Sequence, residues 1–203
     1  MNDALTFGAL SFSSLLTMVN PLGAVPTFLA VTRDQDADGR RRAAFRSAGV
    51  ALVVLVLFAV AGTELFKLFG ITLPAFRITG GILFFITSLP MLLGRAEKDA
   101  QAQEGSDPTI VPLAVPLITG PGAISTVMVL MGQAPNRTAV FLLLGSAALT
   151  MIVTALVLWG APNLIRRVGP AGIELTTRLM GLFMAVIGIQ FIIDGIGAAM
   201  RAT

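Results

Sequence analysis

The sequence predicts an all-α membrane protein, with six transmembrane helices arranged as two inverted three-helix repeats and with the first and fourth helices discontinuous. Three observations predict this. Hydrophobic residues make up 55% of the chain and charged ones only 12%, with a mean hydropathy of +0.87, whereas a soluble domain carries roughly 25% charge. Six stretches contain no Asp, Glu, Lys or Arg: residues 4–32, 47–63, 78–94, 108–136, 138–165 and 179–193. In the middle of the first and fourth of these, two similar segments recur just after a proline: GAVPT at Gly23–Thr27 after Pro21, and GAIST at Gly122–Thr126 after Pro121.

A helix needs about 20 apolar residues to cross the bilayer, and the shorter stretches gain a turn from their polar flanks. The first stretch has no basic leader and runs on through NPLGAVPTFLAV. It is therefore expected to stay in the mature protein as a spanning helix and not to act as a cleaved signal. Residues 4–32 and 108–136 are each 29 long; a straight helix of that length covers about 43 Å, more than a hydrocarbon core of roughly 30 Å requires. The surplus leaves room for a break. In VNPLGAVP, Asn20 is suited to cap a new half-helix that starts at Pro21, which has no N–H to lose, and Gly23 lets a ligand or facing backbone come close. In ITGPGAIST the corresponding parts are Thr119 as cap, Gly120 as hinge, Pro121 at the first helical position and Gly122 for close approach.

Each break is expected to expose backbone N–H groups at the positive end of a helix dipole, at a depth where lipid offers no partner. A pair of such termini forms an anion site, and a small carboxylate suits it. The competing reading is a pair of ordinary proline kinks whose small residues allow tight helix packing.

After the third helix, RAEKDAQAQEGSD (Arg95–Asp107) is polar and aperiodic and reads as an exposed connector. It separates a first three-helix repeat, residues 1–94, from a second, residues 108–203. Further matches link the halves: Gly70 with Gly169 at an offset of 99, and Arg77 with Arg178 and Gly80 with Gly181 at an offset of 101. An odd number of helices per half sends the second half into the membrane from the opposite side, the inverted-repeat plan of many secondary transporters, in which Gly/Pro interruptions at corresponding positions point to the substrate site.

The cations agree with that topology. The loops after the first, third and fifth helices hold Arg33, Arg40, Arg41, Arg42, Arg46, Arg95, Lys98, Arg166 and Arg167, while the other side holds Lys67, Arg137 and Arg201. The positive-inside rule places the first set in the cytoplasm and both termini outside the plasma (inner) membrane. The sequence pI of about 10.6 does not imply nucleic acid, since the net charge is only +3 and there is no soluble domain to carry a basic face.

Arg77 and Arg178, at the starts of the third and sixth helices, read as snorkelling anchors or as gate residues, with Glu64, Glu174 and Asp194 as candidate partners. Asp194, in GIQFIIDGIG, reads either as a binder of a coupling proton or cation or as a cap near the end of the sixth helix. Gly80, Gly81, Gly181 and Gly188 read as helix-contact residues. Of enzyme chemistries, zinc hydrolysis lacks any histidine, thiol chemistry lacks any cysteine, and a serine–lysine dyad would need a membrane-deep lysine where only Lys67 and Lys98 occur. Asp194 has no second membrane-deep Asp to make an aspartyl pair, and no GxxxxGK[ST] loop is present to bind ATP. The chain is expected not to be an enzyme and to need no cofactor.

The blocks NPLGAVPTFL, FGITLPAFRITGGILFF, PLAVPLITGPGAIST and GIELTTRLMGLFMAVIGIQFIIDGI, in this order, resemble the MarC family of bacterial and archaeal inner-membrane proteins. The family is tied by name to multiple antibiotic resistance, and one branch is described as transporting small neutral amino acids such as glycine and alanine. The resemblance singles out Asn20, Pro21, Gly23 and Pro26 in the first block and Thr119, Gly120, Pro121 and Gly122 in the fourth helix. The chain departs from the family pattern at Ala24, where many relatives carry Asn, and at Pro90 near the end of the third helix, where many carry a polar or acidic residue. The function expected from both lines of reasoning is secondary transport of alanine or glycine by alternating access, with the carboxylate on the half-helix N-termini and Asn20, Thr27, Thr119 and Ser125 offering side-chain hydrogen bonds. A proton or sodium ion is the coupling candidate, membrane lipid the only other expected partner, and the oligomeric state is open. Efflux of a drug or another small metabolite, a channel and a non-transporting scaffold are the alternatives.

Overall fold

The computed structural model describes residues 2–32, 35–94 and 118–202. The connector Arg95–Asp107, residues 108–117 and the cations Arg33, Arg95 and Lys98 lie outside the described residues, as do the side chains of Arg166 and Arg167. The described chain is all helical: α1 (Asn2–Val19), α2 (Pro21–Val31), α3 (Ala37–Leu68), α4 (Leu73–Leu92), α5 (Pro121–Gln133) and α6 (Arg137–Ala202).

Five segments are long and apolar enough to cross a membrane: Ala4–Leu29, which includes the α1–α2 break, Ala37–Leu68, Leu73–Leu92, and two arms of α6, Arg137–Asn163 and Glu174–Arg201. The arms meet at Gly169, whose φ of 74° is open to glycine and costly for a residue with a side chain. Gly70, its counterpart at the α3–α4 turn, has φ 62°. Both members of that sequence pair thus have a positive φ, which favours glycine. The fourth predicted span is represented by the 13 residues of α5, too short at about 20 Å to cross alone.

One expectation is corrected at α3. Arg40, Arg41, Arg42 and Arg46, assigned to a loop by their charge, are helical, because Asp36 caps the helix (its Oδ1 accepts from Gly39 N at 2.7 Å) and Asp38 complements the dipole in the first turn. At 32 residues, α3 reaches about 48 Å and projects its charged turns beyond the hydrocarbon. Arg40 Nε donates to the Thr32 carbonyl at 3.1 Å, tying the end of α2 to the start of α3. Arg41 lies 5.9 Å over the Trp159 ring, which brings the start of α3 to the end of the first arm.

Packing relies on small residues. Ala44, Ala48, Ala51, Leu55 and Ala59 form a buried stripe on α3, and Ala147, Met151, Ala155 and Leu158 do so on the first arm. Ser146 donates to the Gly8 carbonyl at 3.0 Å and joins α1 to that arm. Between α4 and the second arm, three glycines seven residues apart (Gly181, Gly188 and Gly195) form a seam. A Cβ on Gly188 would lie 2.7 Å from Gly81 O and 2.9 Å from Phe85 N, and one on Gly195 2.9 Å from Pro74 O. These backbones touch as closely as side-chain-free positions allow. The outer faces carry Val53, Val60, Phe141, Ile152, Phe183 and Val186, large apolar side chains left for lipid.

Candidate functional site

The sequence around Asn20 folds as its residue types dictate. Asn20 has φ 46° and ψ 68°, a left-handed conformation that Asn tolerates better than most non-glycine residues. Its Oδ1 accepts from Gly23 N at 3.2 Å, capping α2, and Pro21 takes the first helical position. The ladder barely pauses: Asn20 N donates to Leu16 O at 3.0 Å and Ala24 N to Asn20 O at 3.3 Å. Pro21 has no N–H and that of Gly23 is taken, so the first-turn donor these leave is Leu22 N–H. The break is therefore a capped bend and offers fewer bare donors than the sequence suggests. Gly23 is needed by the cap itself, since a Cβ there would stand 2.5 Å from Asn20 Nδ2.

At the start of α5, where the sequence predicts the second break and the residues before 118 lie outside the described ones, Gly120 takes the cap position, which corrects the assignment of that role to Thr119. The residue directly before the first-position proline caps the helix, so Gly120 and not Thr119 is the structural counterpart of Asn20. Glycine has no side chain to accept from the first turn, and Ile124 N donates to Gly120 O at 3.1 Å. Gly122 and Ala123 sit in this first turn, and residues 118–125 are all buried. Pro121 packs on Gly80, where any Cβ would collide with its ring.

A cavity of about 160 Å³ lies on the α1–α2 break. Its lining comes from Thr17, Met18 and Val19 at the end of α1, Asn20, Gly23 and Ala24 across the break, Phe84 of α4, and Met184, Ile187 and Phe191 of the second arm. It joins parts of the chain that lie on either side of the connector in sequence. Asn20 supplies the polar side chain at the break, and Thr17 a hydroxyl that donates to Ser13 O at 2.8 Å. Phe84 and Phe191 stack at 5.9 Å between centroids with 25° between planes.

Of the residues predicted from sequence, Asn20 and Gly23 line this cavity. Gly122 lies directly behind it: a Cβ there would strike the Phe191 ring and come 3.3 Å from Met18 Sδ, both cavity residues. The other predicted donors are not in its lining. Ser125 donates to Gly122 O at 3.1 Å, Thr27 faces Met91 Sδ at 4.0 Å, and Thr119 is 1% exposed. Gly80 and Gly181, paired in sequence, meet different partners, Pro121 for the first and Met91 with Leu92 for the second.

The gate and coupling candidates are outside the cavity. Arg178 forms an exposed ion pair with Glu174, and Glu64 pairs with Lys67 at 2.9 Å. Arg77 is half-buried in the second turn of α4 and has no ion pair among the described residues. Asp194 is exposed, accepts from Gln190 Nε2 at 2.8 Å, and lies within α6, which continues to Ala202. That corrects the helix-capping reading, since Gly195 and Gly197 after it are still helical. The cavity walls Met18, Phe84, Met184, Ile187 and Phe191 were not singled out from sequence, because an apolar residue in an apolar helix carries no mark of which face it occupies.

The sequence profile of the MarC family integral membrane proteins matches residues 5–200. The chain belongs to the MarC family. Among its MarC relatives, a UPF0056 membrane protein of Methanocaldococcus jannaschii is 38% identical over 202 residues, covering 97% of this chain and 98% of that protein. One from Pyrococcus abyssi is 36% identical over 98% of each chain, and the UPF0056 membrane protein YhcE of Escherichia coli is 34% identical over 91% of this chain and 89% of its own. No solved structure matches the chain.

Proposed function

We propose that this integral membrane protein is a secondary transporter of small neutral amino acids, alanine and glycine, acting by alternating access. The observation that carries the reading is the cavity set on the break of the first span, walled by residues from both sequence halves. Sites of this kind lie at discontinuous helices between the repeats of secondary transporters. The positive φ at both Gly70 and Gly169 is in keeping with two related, inverted halves, residues 1–94 and 108–203 about the connector 95–107. In this reading the carboxylate is held by the Asn20 amide, the positive end of the α2 dipole adds to its attraction, and the ammonium and small side chain face Thr17 and the apolar wall.

Size favours this class over bulky drugs: about 160 Å³ lies below the roughly 300–1,000 Å³ of pockets that hold drug-sized ligands. As a transporter the protein carries out no covalent chemistry and needs no cofactor beyond a coupling proton or sodium ion. The Arg41–Trp159 contact puts the arginine-rich start of α3 and the end of the first arm on one side. With the positive-inside rule, that side is the cytoplasm and both termini face out of the plasma membrane.

The test is uptake of labelled alanine and glycine into liposomes holding the purified protein, with and without proton and sodium gradients. Saturable, gradient-driven uptake is expected. Folded protein that moves neither amino acid under any gradient overturns the reading in favour of another small solute or a scaffold, and non-saturable flux favours a channel.

A further inference from the structure

We infer that Phe191 is the wall that limits the substrate's side chain, and that Gly122 is the position that allows it to stand there. This rests on the amino-acid transport reading and assigns the residue that makes the site selective for the smallest side chains.

Phe191 has two neighbours that define its position. On one face it stacks on Phe84, itself 7% exposed, with 5.9 Å between ring centroids, so the ring is held from α4. At its tip, Cζ meets the bare Cα of Gly122, where a Cβ would overlap it. The ring thus stands between the cavity and the buried first turn of α5. Met18 completes the partition, since it lines the cavity and its Sδ would sit 3.3 Å from the same Cβ. The partition has cavity on one side and the first turn of α5 on the other, and only a residue without a side chain at 122 leaves the ring its present position. Any gain of space towards α5 therefore requires moving Phe191, and an atom added at Gly122 presses on Phe191 and Met18, two of the cavity's walls.

Two opposite perturbations follow. Phe191→Ala, or the milder Phe191→Leu, opens the cavity towards α5, and Gly122→Ala narrows it. A methylene in an apolar pocket discriminates between substrates by about 10-fold to 200-fold. Competition of leucine and methionine against labelled alanine uptake should accordingly strengthen about tenfold in the Phe191 variants. The preference for glycine over alanine should rise about tenfold in Gly122→Ala. Phe183→Ala, at an exposed position one face away, serves as the comparator and should keep the wild-type order.

All variants are measured in the same proteoliposome uptake assay after a check that each is monodisperse and helical. Wild-type uptake with opposite shifts in the two kinds of variant supports the wall. Wild-type uptake with an unchanged substrate order in a folded Phe191→Leu and in Gly122→Ala overturns the wall and leaves the transport reading standing. Absence of uptake by the wild type overturns the transport reading, and the wall falls with it.

Discussion

Asn20 does two separate things, and replacing it by Ala and by Gly separates them. Its backbone is left-handed, with φ 46° and ψ 68°, and its side chain caps Gly23 N–H at 3.2 Å. Asn20→Ala loses the cap, about 1 kcal/mol, and forces a Cβ-bearing residue without a locally bonding side chain into the left-handed region, about 1–2 kcal/mol more. The sum is roughly 2–3 kcal/mol. Asn20→Gly keeps the backbone at no steric cost, and glycine is itself an acceptable cap, so that change costs only a few tenths of a kcal/mol. Both variants remove the amide that faces the cavity, and a hydrogen bond to a charged group contributes about 1.5–3 kcal/mol, or roughly 10-fold to 100-fold in affinity. Denaturant unfolding in detergent micelles should rank wild type and the Gly variant close together, with the Ala variant well below. Alanine uptake should fall in both variants. Equal stability of the Ala and Gly variants would refute the backbone argument, and wild-type uptake by the Gly variant would refute the role of the amide in the site.

Other changes have equally definite outcomes. Gly188→Ala puts a methyl 2.7 Å from Gly81 O and 2.9 Å from Phe85 N. Backbone cannot yield as a side chain does, so about 1–3 kcal/mol should be lost. Gly145→Ala, with open space around it, should be neutral or raise stability by up to about 1 kcal/mol through helix propensity; thermal unfolding compares the two. Pro121→Ala restores a backbone donor and removes the ring packed on Gly80, which should straighten the start of α5 and reduce alanine uptake while the protein remains folded by circular dichroism. Asp194→Asn should leave the gradient dependence of uptake unchanged, because that carboxylate is exposed and bonded to Gln190 away from the cavity. A changed ion dependence would return Asp194 to the coupling site.

The helix starts at Pro21 and Pro121 were legible because proline and the residue before it act locally: a missing N–H and a fixed φ mark the first helical position regardless of what packs around it. Gly70 and Gly169 were legible as a pair for a similar reason, since both hold a backbone conformation that favours glycine. Capping was legible only in part. Asn20 was identified by its acceptor side chain, but at the second break the acceptor-bearing Thr119 drew the assignment away from Gly120, which holds the cap position by its place next to Pro121. The helical start of α3 was hidden because its arginines satisfy the positive-inside rule equally well in a loop or in a projecting helix. The cavity itself was the least visible feature. Phe84, Met184 and Phe191 look like Phe85, Phe183 and Ile189 in the sequence, and only the glycine seam at Gly181, Gly188 and Gly195, which turns one face of the second arm to α4, decides which of them point inward.

The chain has no cysteine, so a single introduced thiol reports on the cavity without background. Thr17 lines the cavity and is not covered by the rest of the protein. In Thr17→Cys protein, the rate of modification by a small water-soluble thiol reagent is measured with and without alanine or glycine. Slowing that rises with amino-acid concentration and saturates, and that a large apolar amino acid such as leucine does not match, is the result predicted for a small-amino-acid site at the α1–α2 break. Labelling at one unchanged rate up to high millimolar alanine and glycine would contradict it.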